Sequence, residues 1–273
     1  MKNYLSINSV IPSFNKVLSV PGDKSLSIRW VLLASQAIGK SKAYNLLESD
    51  DVISAIVSMR KLGVKILKRK SFYEIRGVGL SGFKHKNNLN LNAGNSGTFA
   101  RLLCGTLAGN VKNVKVTGDS SLSKRDFSRV VKPLELFGIN IKTKKNKLPI
   151  TIKGSKYLRP IFYKEEKGSA QVKSAILLAS LNTPGQTIVK SKISRNHTEL
   201  MFKNCLKIPL KLKKYKNYEI IKVEGKKNYK GFDYKIPGDI SSAAFFIALT
   251  ILANKSKLKI KNVNYNKSRI GII

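Results

Sequence analysis

Four stretches of this chain join a glycine and small polar residues to a following apolar run. They are Pro21-Gly22-Asp23-Lys24-Ser25 with Arg29, Gly94-Asn95-Ser96-Gly97-Thr98 with Arg101, Gly168-Ser169-Ala170-Gln171-Val172-Lys173-Ser174, and Pro237-Gly238-Asp239-Ile240-Ser241-Ser242. Glycine frees the backbone, and a neighbouring Ser, Asn or Asp can cap the unpaired amides of a helix start. Those amides and the helix dipole attract anions. With Lys24, Arg29 and Arg101 close by, the four stretches predict helix N-termini arranged to hold anionic ligands. They recur at a spacing of roughly 70 residues, longer than most solenoid repeats but regular.

The surrounding chain has to position those starts. Its 273 residues allow two domains or one large one. Ser25–Ile38 reads as a helix stopped by Gly39, followed by a strand over Ser41–Leu47. Ser49-Asp50-Asp51 opens a helix over Val52–Leu62 that Gly63 ends. Val64–Leu67 and Phe72–Arg76 alternate as paired strands. A second helix–glycine–strand series runs through Ser128–Phe137, Gly138 and Ile139–Ile141. Further strands are read at Tyr4–Ile7, Val17–Val20, Leu89–Leu91, Val114–Thr117 and Thr187–Val189, with strands and turns through Leu148–Ile152 and Arg159–Ile161 and a helix at Thr198–Leu206. Met59–Ile66 resembles Leu134–Ile141, which makes each unit a helix, a strand, a second helix ending at Gly, and a strand pair.

The chain carries 52 Lys and Arg against 15 Asp and Glu, a net charge of +37. The lysines are spread along its whole length and no aromatic stacking motif accompanies them, which argues against nucleic acid as partner. A general positive field suits small phosphorylated or carboxylated substrates instead. No apolar run reaches the roughly 20 residues of a membrane span. Cys104 and Cys205 lie far apart in apolar contexts and read as buried small hydrophobes. With only His85 and His197 beside them, no metal site is expected.

Five motifs in order resemble those of the 5-enolpyruvylshikimate-3-phosphate synthase family. They are Pro21–Ser25 with Arg29, Gly94–Thr98 with Arg101, Gly118-Asp119-Ser120-Ser121-Leu122-Ser123-Lys124-Arg125, Ser169–Ser174, and Ser194-Arg195-Asn196-His197-Thr198-Glu199. One departure is Asp126, where the family usually has Pro, and it puts the local turn in question. The resemblance implies an α/β enolpyruvyl transferase fold of repeated βαβαββ units in two domains. Residues 21–236 would be a complete first domain of three units, and 1–20 with 237–273 a partial second domain, the chain crossing between them at Pro21 and Pro237. It further implies transfer of the enolpyruvyl group of phosphoenolpyruvate to the 5-hydroxyl of shikimate 3-phosphate, with release of phosphate, in the cytoplasm, without cofactor and as a monomer when complete.

Carried over residue by residue, the resemblance assigns Lys24, Ser25, Arg29, Ser169, Ala170, Gln171 and Arg195 to shikimate 3-phosphate. Lys24, Asn95, Gly97, Arg125 and Gln171 fall to phosphoenolpyruvate. Both ligands are multiply anionic, which is why cations and helix starts serve. Each residue also has a plainer use: Ser25 and Asn95 as helix caps, Gly97 as a loop glycine, Lys24 and Arg125 as solvated surface charges. His197 reads as structural, and Asp23 and Asp239 as turn and hinge residues. The family's acid–base residues come from its C-terminal half, so no catalytic residue is assigned here and the chain reads as C-terminally truncated. Two alternatives stay open: a half-protein that binds without turnover, and a basic nucleic-acid-binding protein. The related transferase acting on UDP-N-acetylglucosamine has Asn after the N-terminal Lys and lacks Ser-Ala-Gln, so Ser25 and Ser169–Gln171 argue against it.

Overall fold

The computed structural model describes residues 11–273, so the strand read at Tyr4–Ile7 lies outside the described residues. Three four-stranded sheets share one plan. The first unit holds α1 (Lys24–Gln36), β2 (Ile38–Tyr44), α2 (Asp50–Lys61), β3 (Lys65–Lys68) and β4 (Phe72–Val78). The second holds β5 (Leu89–Asn92), α3 (Gly97–Thr106), β6 (Val114–Thr117), the short α4 (Ser120–Ser123), α5 (Ser128–Leu136), β7 (Asn140–Lys144) and β8 (Lys147–Lys153). The third holds β9 (Phe162–Glu165), α6 (Ala170–Leu181), β10 (Gln186–Lys192), α7 (His197–Asn204), β11 (Leu210–Lys214) and β12 (Tyr218–Glu224).

The sheet orders are β5-β6-β8-β7 and β9-β10-β12-β11, with the first pair parallel and the others antiparallel. The first unit takes its missing parallel strand from far along the chain: β13 (Tyr234–Lys235) pairs with β2, giving β13-β2-β4-β3. A smaller pair lies apart, in which β1 (Asn15–Ser19) runs parallel to β14 (Lys257–Lys261), with α8 (Ile240–Leu252) before β14. It has its own cluster around Val20, Ile240 and Ala243.

Helices α1, α3 and α6 form the interior of the three units. Every residue of α1 from Leu26 to Gln36 is buried, and so is α6 apart from Gln171. That explains their runs of Ala, Leu, Ile and Val without a polar stripe. α3 and α6 approach so closely at Gly105 that a Cβ there would lie 2.1 Å from the Ala175 carbonyl oxygen. The other ends of these helices, where the polar motifs sit, come together at one edge.

Glycine read as a helix stop is right twice and wrong once. Gly63 and Gly138 have φ of +88° and +94° and close α2 and α5. At Gly63 the Val64 amide reaches back to the Met59 carbonyl, which satisfies the last carbonyls of α2. Gly39 instead lies inside β2, opposite Gly77, and α1 ends earlier, at Gln36. The strand therefore runs over Ile38–Tyr44, not Ser41–Leu47. The Ile38 amide is taken by the Tyr229 carbonyl, which pulls the chain out of the helix before the glycine is reached.

Candidate functional site

At the start of α1 the two Pro-Gly-Asp stretches lie antiparallel and exchange hydrogen bonds. The Asp23 amide donates to the Pro237 carbonyl at 2.8 Å and the Asp239 amide to the Pro21 carbonyl at 2.9 Å. Gly22 is required there, because a Cβ would fall 2.0 Å from the Asn45 carbonyl oxygen. Asp23 and Asp239 are more than turn residues. Asp23 caps α1 through the Leu26 amide, and Asp239 caps α8 through the Ser241 amide. Arg269 bridges both carboxylates, at 2.8 Å from Asp23 and 3.4 Å from Asp239, and Asn264 donates to Asp23 at 3.0 Å. The Lys24 amide donates to Asp239, while its ammonium reaches outward to Asp51 at 3.4 Å.

Arg29 sits one turn further along α1. Its guanidinium is buried and held on three sides, by the Ser25 carbonyl, the Thr198 hydroxyl and the Ser174 hydroxyl, each at 2.9 Å. Burial draws its pKa down to about 10, with Glu199 and Asp23 opposing the fall. Ser25 and Arg29 thus share a face, as their spacing requires.

Around α3 the helix cap is Ser96, which accepts the Phe99 amide, and not Asn95. Asn95 is free to link two loops: its amide group donates to Asp119 at 2.7 Å and its oxygen accepts from Arg125 at 3.0 Å. Gly97 faces two guanidiniums, since a Cβ there would stand 2.9 Å from Arg101 Nη1 and 3.0 Å from Arg125 Nη1. Arg101 donates to Gln171 Oε1 at 3.1 Å and to the Asp126 carbonyl at 3.1 Å, and lies over the Phe127 ring. Burial and the neighbouring Arg125 lower its pKa. Gln171 Nε2 donates to Thr98 at 3.0 Å, joining the first turns of α3 and α6. Asp126 resolves the questioned turn: its carboxylate accepts the Ser128 amide and hydroxyl at the entry to α5.

A cavity of about 570 Å³ opens at the start of α6. Ser169, Ala170, Gln171 and Arg195 line it, together with Arg129, Lys167, Ser194 and Ser268. The loop before α6 is folded by Glu165, which accepts the Lys167 and Ser169 amides, while Ser169 itself caps the helix at Val172. The Ser194 hydroxyl is buried and unpartnered. The cavity therefore has two guanidiniums, an ammonium, hydroxyls and a helix start, a donor set for a phosphate-sized anion.

Lys24, Ser25 and Arg29 are linked to this edge through Ser174 and Thr198, and Asn95, Gly97 and Arg125 through Arg101 and Gln171. Arg101, counted among the cations at the helix starts, was not assigned to either ligand. Its position one turn past Gly97 on α3 was the available signal, whereas Arg129 stands in the first turn of α5, outside every motif quoted. Nothing local marks Ser268, Arg269 or Asn264, whose partners lie up to 246 residues away. His197 is buried, its Nε2 without a hydrogen-bond partner, and burial, then the neighbouring Arg29, holds its pKa down at about 3. Burial pushes the Cys104 thiol up to about 12. Among the described residues no group of His, Cys, Asp and Glu is arranged to hold a metal, and no helix is long and apolar enough to cross a membrane.

The family model described as EPSP synthase (3-phosphoshikimate 1-carboxyvinyltransferase) matches residues 11–273. The chain is 41% identical over 262 residues to the 3-phosphoshikimate 1-carboxyvinyltransferase of Streptococcus mutans, covering 94% of this chain and 59% of that protein. It is 43% identical over 260 residues to that of a Thermoanaerobacter species, again covering 94% and 59%. A solved EPSP synthase from Acinetobacter baumannii superposes with a TM-score of 0.85 at 36% identity, covering 96% of this chain and 59% of that one. The chain thus spans about six tenths of the length of the relatives it matches.

Proposed function

Because the chain belongs to the EPSP synthase family, we propose that it provides the shikimate 3-phosphate side of an enolpyruvyl transferase site and part of the phosphoenolpyruvate side. In this reading the 5-hydroxyl oxygen of shikimate 3-phosphate bonds to C2 of phosphoenolpyruvate, the C2–O bond to the phosphate breaks, and phosphate leaves with the hydroxyl proton. The observation that carries it is the cavity at the α6 start, where Ser169 and Gln171 of one motif meet Arg195 of another. The 3-phosphate enters that cavity, against the α6 amides and the Arg195 and Arg129 guanidiniums. Arg29 and Ser25 take the carboxylate and ring hydroxyls, and Lys24 swings from Asp51 to lie between the two ligands. Phosphoenolpyruvate lies over Gly97 between Arg125, Asn95 and Gln171.

Residues 21–236 act as one three-unit body, and the described residues 11–20 with 237–273 belong to a second. The partners are small anions only, with no nucleic acid, and the complete enzyme works as a cytoplasmic monomer. Titration of the chain with shikimate 3-phosphate by calorimetry tests the reading. Arg195→Ala removes one charge-assisted contact, about 1.5–3 kcal/mol, or a 10- to 100-fold weaker Kd. A folded wild-type chain that takes up no shikimate 3-phosphate would refute the reading.

A further inference from the structure

Two motif residues without a role so far, Lys173 and Glu199, belong to a fully buried ionic cluster. The ammonium of Lys173 on α6, with no solvent exposure, lies 2.7 Å from Glu199 of α7 and closer still to Glu219 of β12. Both carboxylates are themselves buried. Such clusters are poor sources of stability, because well-packed apolar residues of similar volume often serve as well or better. What this one has is position. Lys173 is followed on α6 by Ser174, and Glu199 is preceded on α7 by Thr198. Those two hydroxyls are bonded to each other at 2.8 Å and to the Arg29 guanidinium of α1. Three elements that share no sheet edge, the helices α1, α6 and α7, are thereby tied side by side, at the second turns of α1 and α6 and the first turn of α7.

Each of the three begins at the candidate site. α1 starts at Lys24-Ser25, α6 at Ser169–Gln171, and α7 follows Ser194-Arg195. A helix packed only by apolar side chains can slide or rotate at small cost, whereas a one-to-two ion cluster has one good arrangement. We propose that Lys173, with Glu199 and Glu219, is a positioning residue that fixes the register of the α6 and α7 starts against Arg29, and so sets the spacing of the anion-binding groups without touching the ligand. This rests on the reading of the site given above.

The test replaces the cluster by apolar residues, Lys173→Met with Glu199→Leu and Glu219→Leu, in the full chain. Hydrogen exchange is followed in peptides covering 168–174 and 194–200, which needs no ligand. Thermal unfolding and the Kd for shikimate 3-phosphate are measured beside it. The expected result is an unchanged or higher Tm, at least tenfold faster exchange at both helix starts, and at least tenfold weaker binding. A folded triple variant that exchanges as slowly as wild type would overturn the proposal, even if neither protein binds the ligand. Should the triple variant not fold, Glu199→Ala keeps Lys173 paired with Glu219 and Glu199→Gln keeps an acceptor for it. Faster exchange at the α7 start with Ala and wild-type exchange with Gln support the pin, and wild-type exchange with both refutes it.

Discussion

Gly97→Ala isolates the geometry at the start of α3. The added methyl would stand 2.9 Å from Arg101 Nη1 and 3.0 Å from Arg125 Nη1, so each guanidinium must retreat by a few tenths of an ångström or more. The two are not equally free to move. Arg101 is held by Gly97, Gln171 and the Asp126 carbonyl and lies on the Phe127 ring, whereas the exposed Arg125 has the Asn95 oxygen as its hydrogen-bond acceptor. Arg125 therefore gives way. Losing that exposed contact costs about 0.5–1.5 kcal/mol. Gly97 is the first residue of α3, so the gain of about 0.5–1 kcal/mol that alanine brings to a helix interior is an upper bound here. Global stability should hence shift by no more than about 1.5 kcal/mol, while anion binding loses a charge-assisted contact of about 1.5–3 kcal/mol. The assay is titration with phosphoenolpyruvate, with shikimate 3-phosphate present, followed through the amide resonances of residues 97 and 98. The expected Kd rises 10- to 100-fold. In an Arg125→Ala background, the same Gly97→Ala change should add almost nothing, since the group it displaces is already gone. Strictly additive losses in the double variant would refute the displacement of Arg125.

Two further outcomes follow from buried charge. Arg269→Ala leaves the buried Asp23 carboxylate with only Asn264 and the Leu26 amide, and should cost about 3 kcal/mol, the low end for breaking a buried pair; limited proteolysis should cut 237–273 first, and uniform destabilisation of the whole chain would contradict it. His197, with a folded pKa of about 3 against an ordinary value of 6.5, stays neutral when folded and takes a proton when unfolded. Its contribution is present above pH 6.5 and is lost as pH falls toward 3, by up to about 1.4 kcal/mol per pH unit. Urea unfolding of wild type should therefore steepen its pH dependence below 6.5 relative to His197→Gln, and parallel curves would rule the effect out.

The repeat was legible because each unit opens with the same local chemistry: a capping side chain, a glycine, and an apolar helix. Asp23, Ser96, Ser169 and Asp239 all cap as that chemistry demands. Strands β11 and β14 were not read, although Leu210–Lys214 and Lys257–Lys261 alternate apolar and lysine residues. In a chain this rich in lysine, alternation with Lys resembles dispersed surface charge. The closing strand β13 has two residues, too few to carry a period. The cluster of Lys173, Glu199 and Glu219 was out of reach for another reason: three charges on three elements reveal nothing until the fold brings them together.

The crossed Pro-Gly-Asp stretches bear on the order in which the molecule assembles. The Phe14 amide meets Ser256 across 242 residues, and β1 pairs with β14 over the same gap. In an unfolded chain, closing a loop of that length costs about 5 kcal/mol of entropy beyond a constant term. Five parallel residue pairs and a small apolar cluster are a weak return on that cost. Once the three larger sheets have formed, however, β13 has already joined β2, and the chain leaves beside the point where it entered. The pairing of β1 with β14 is then a local event between two adjacent ends, and its closure entropy falls accordingly.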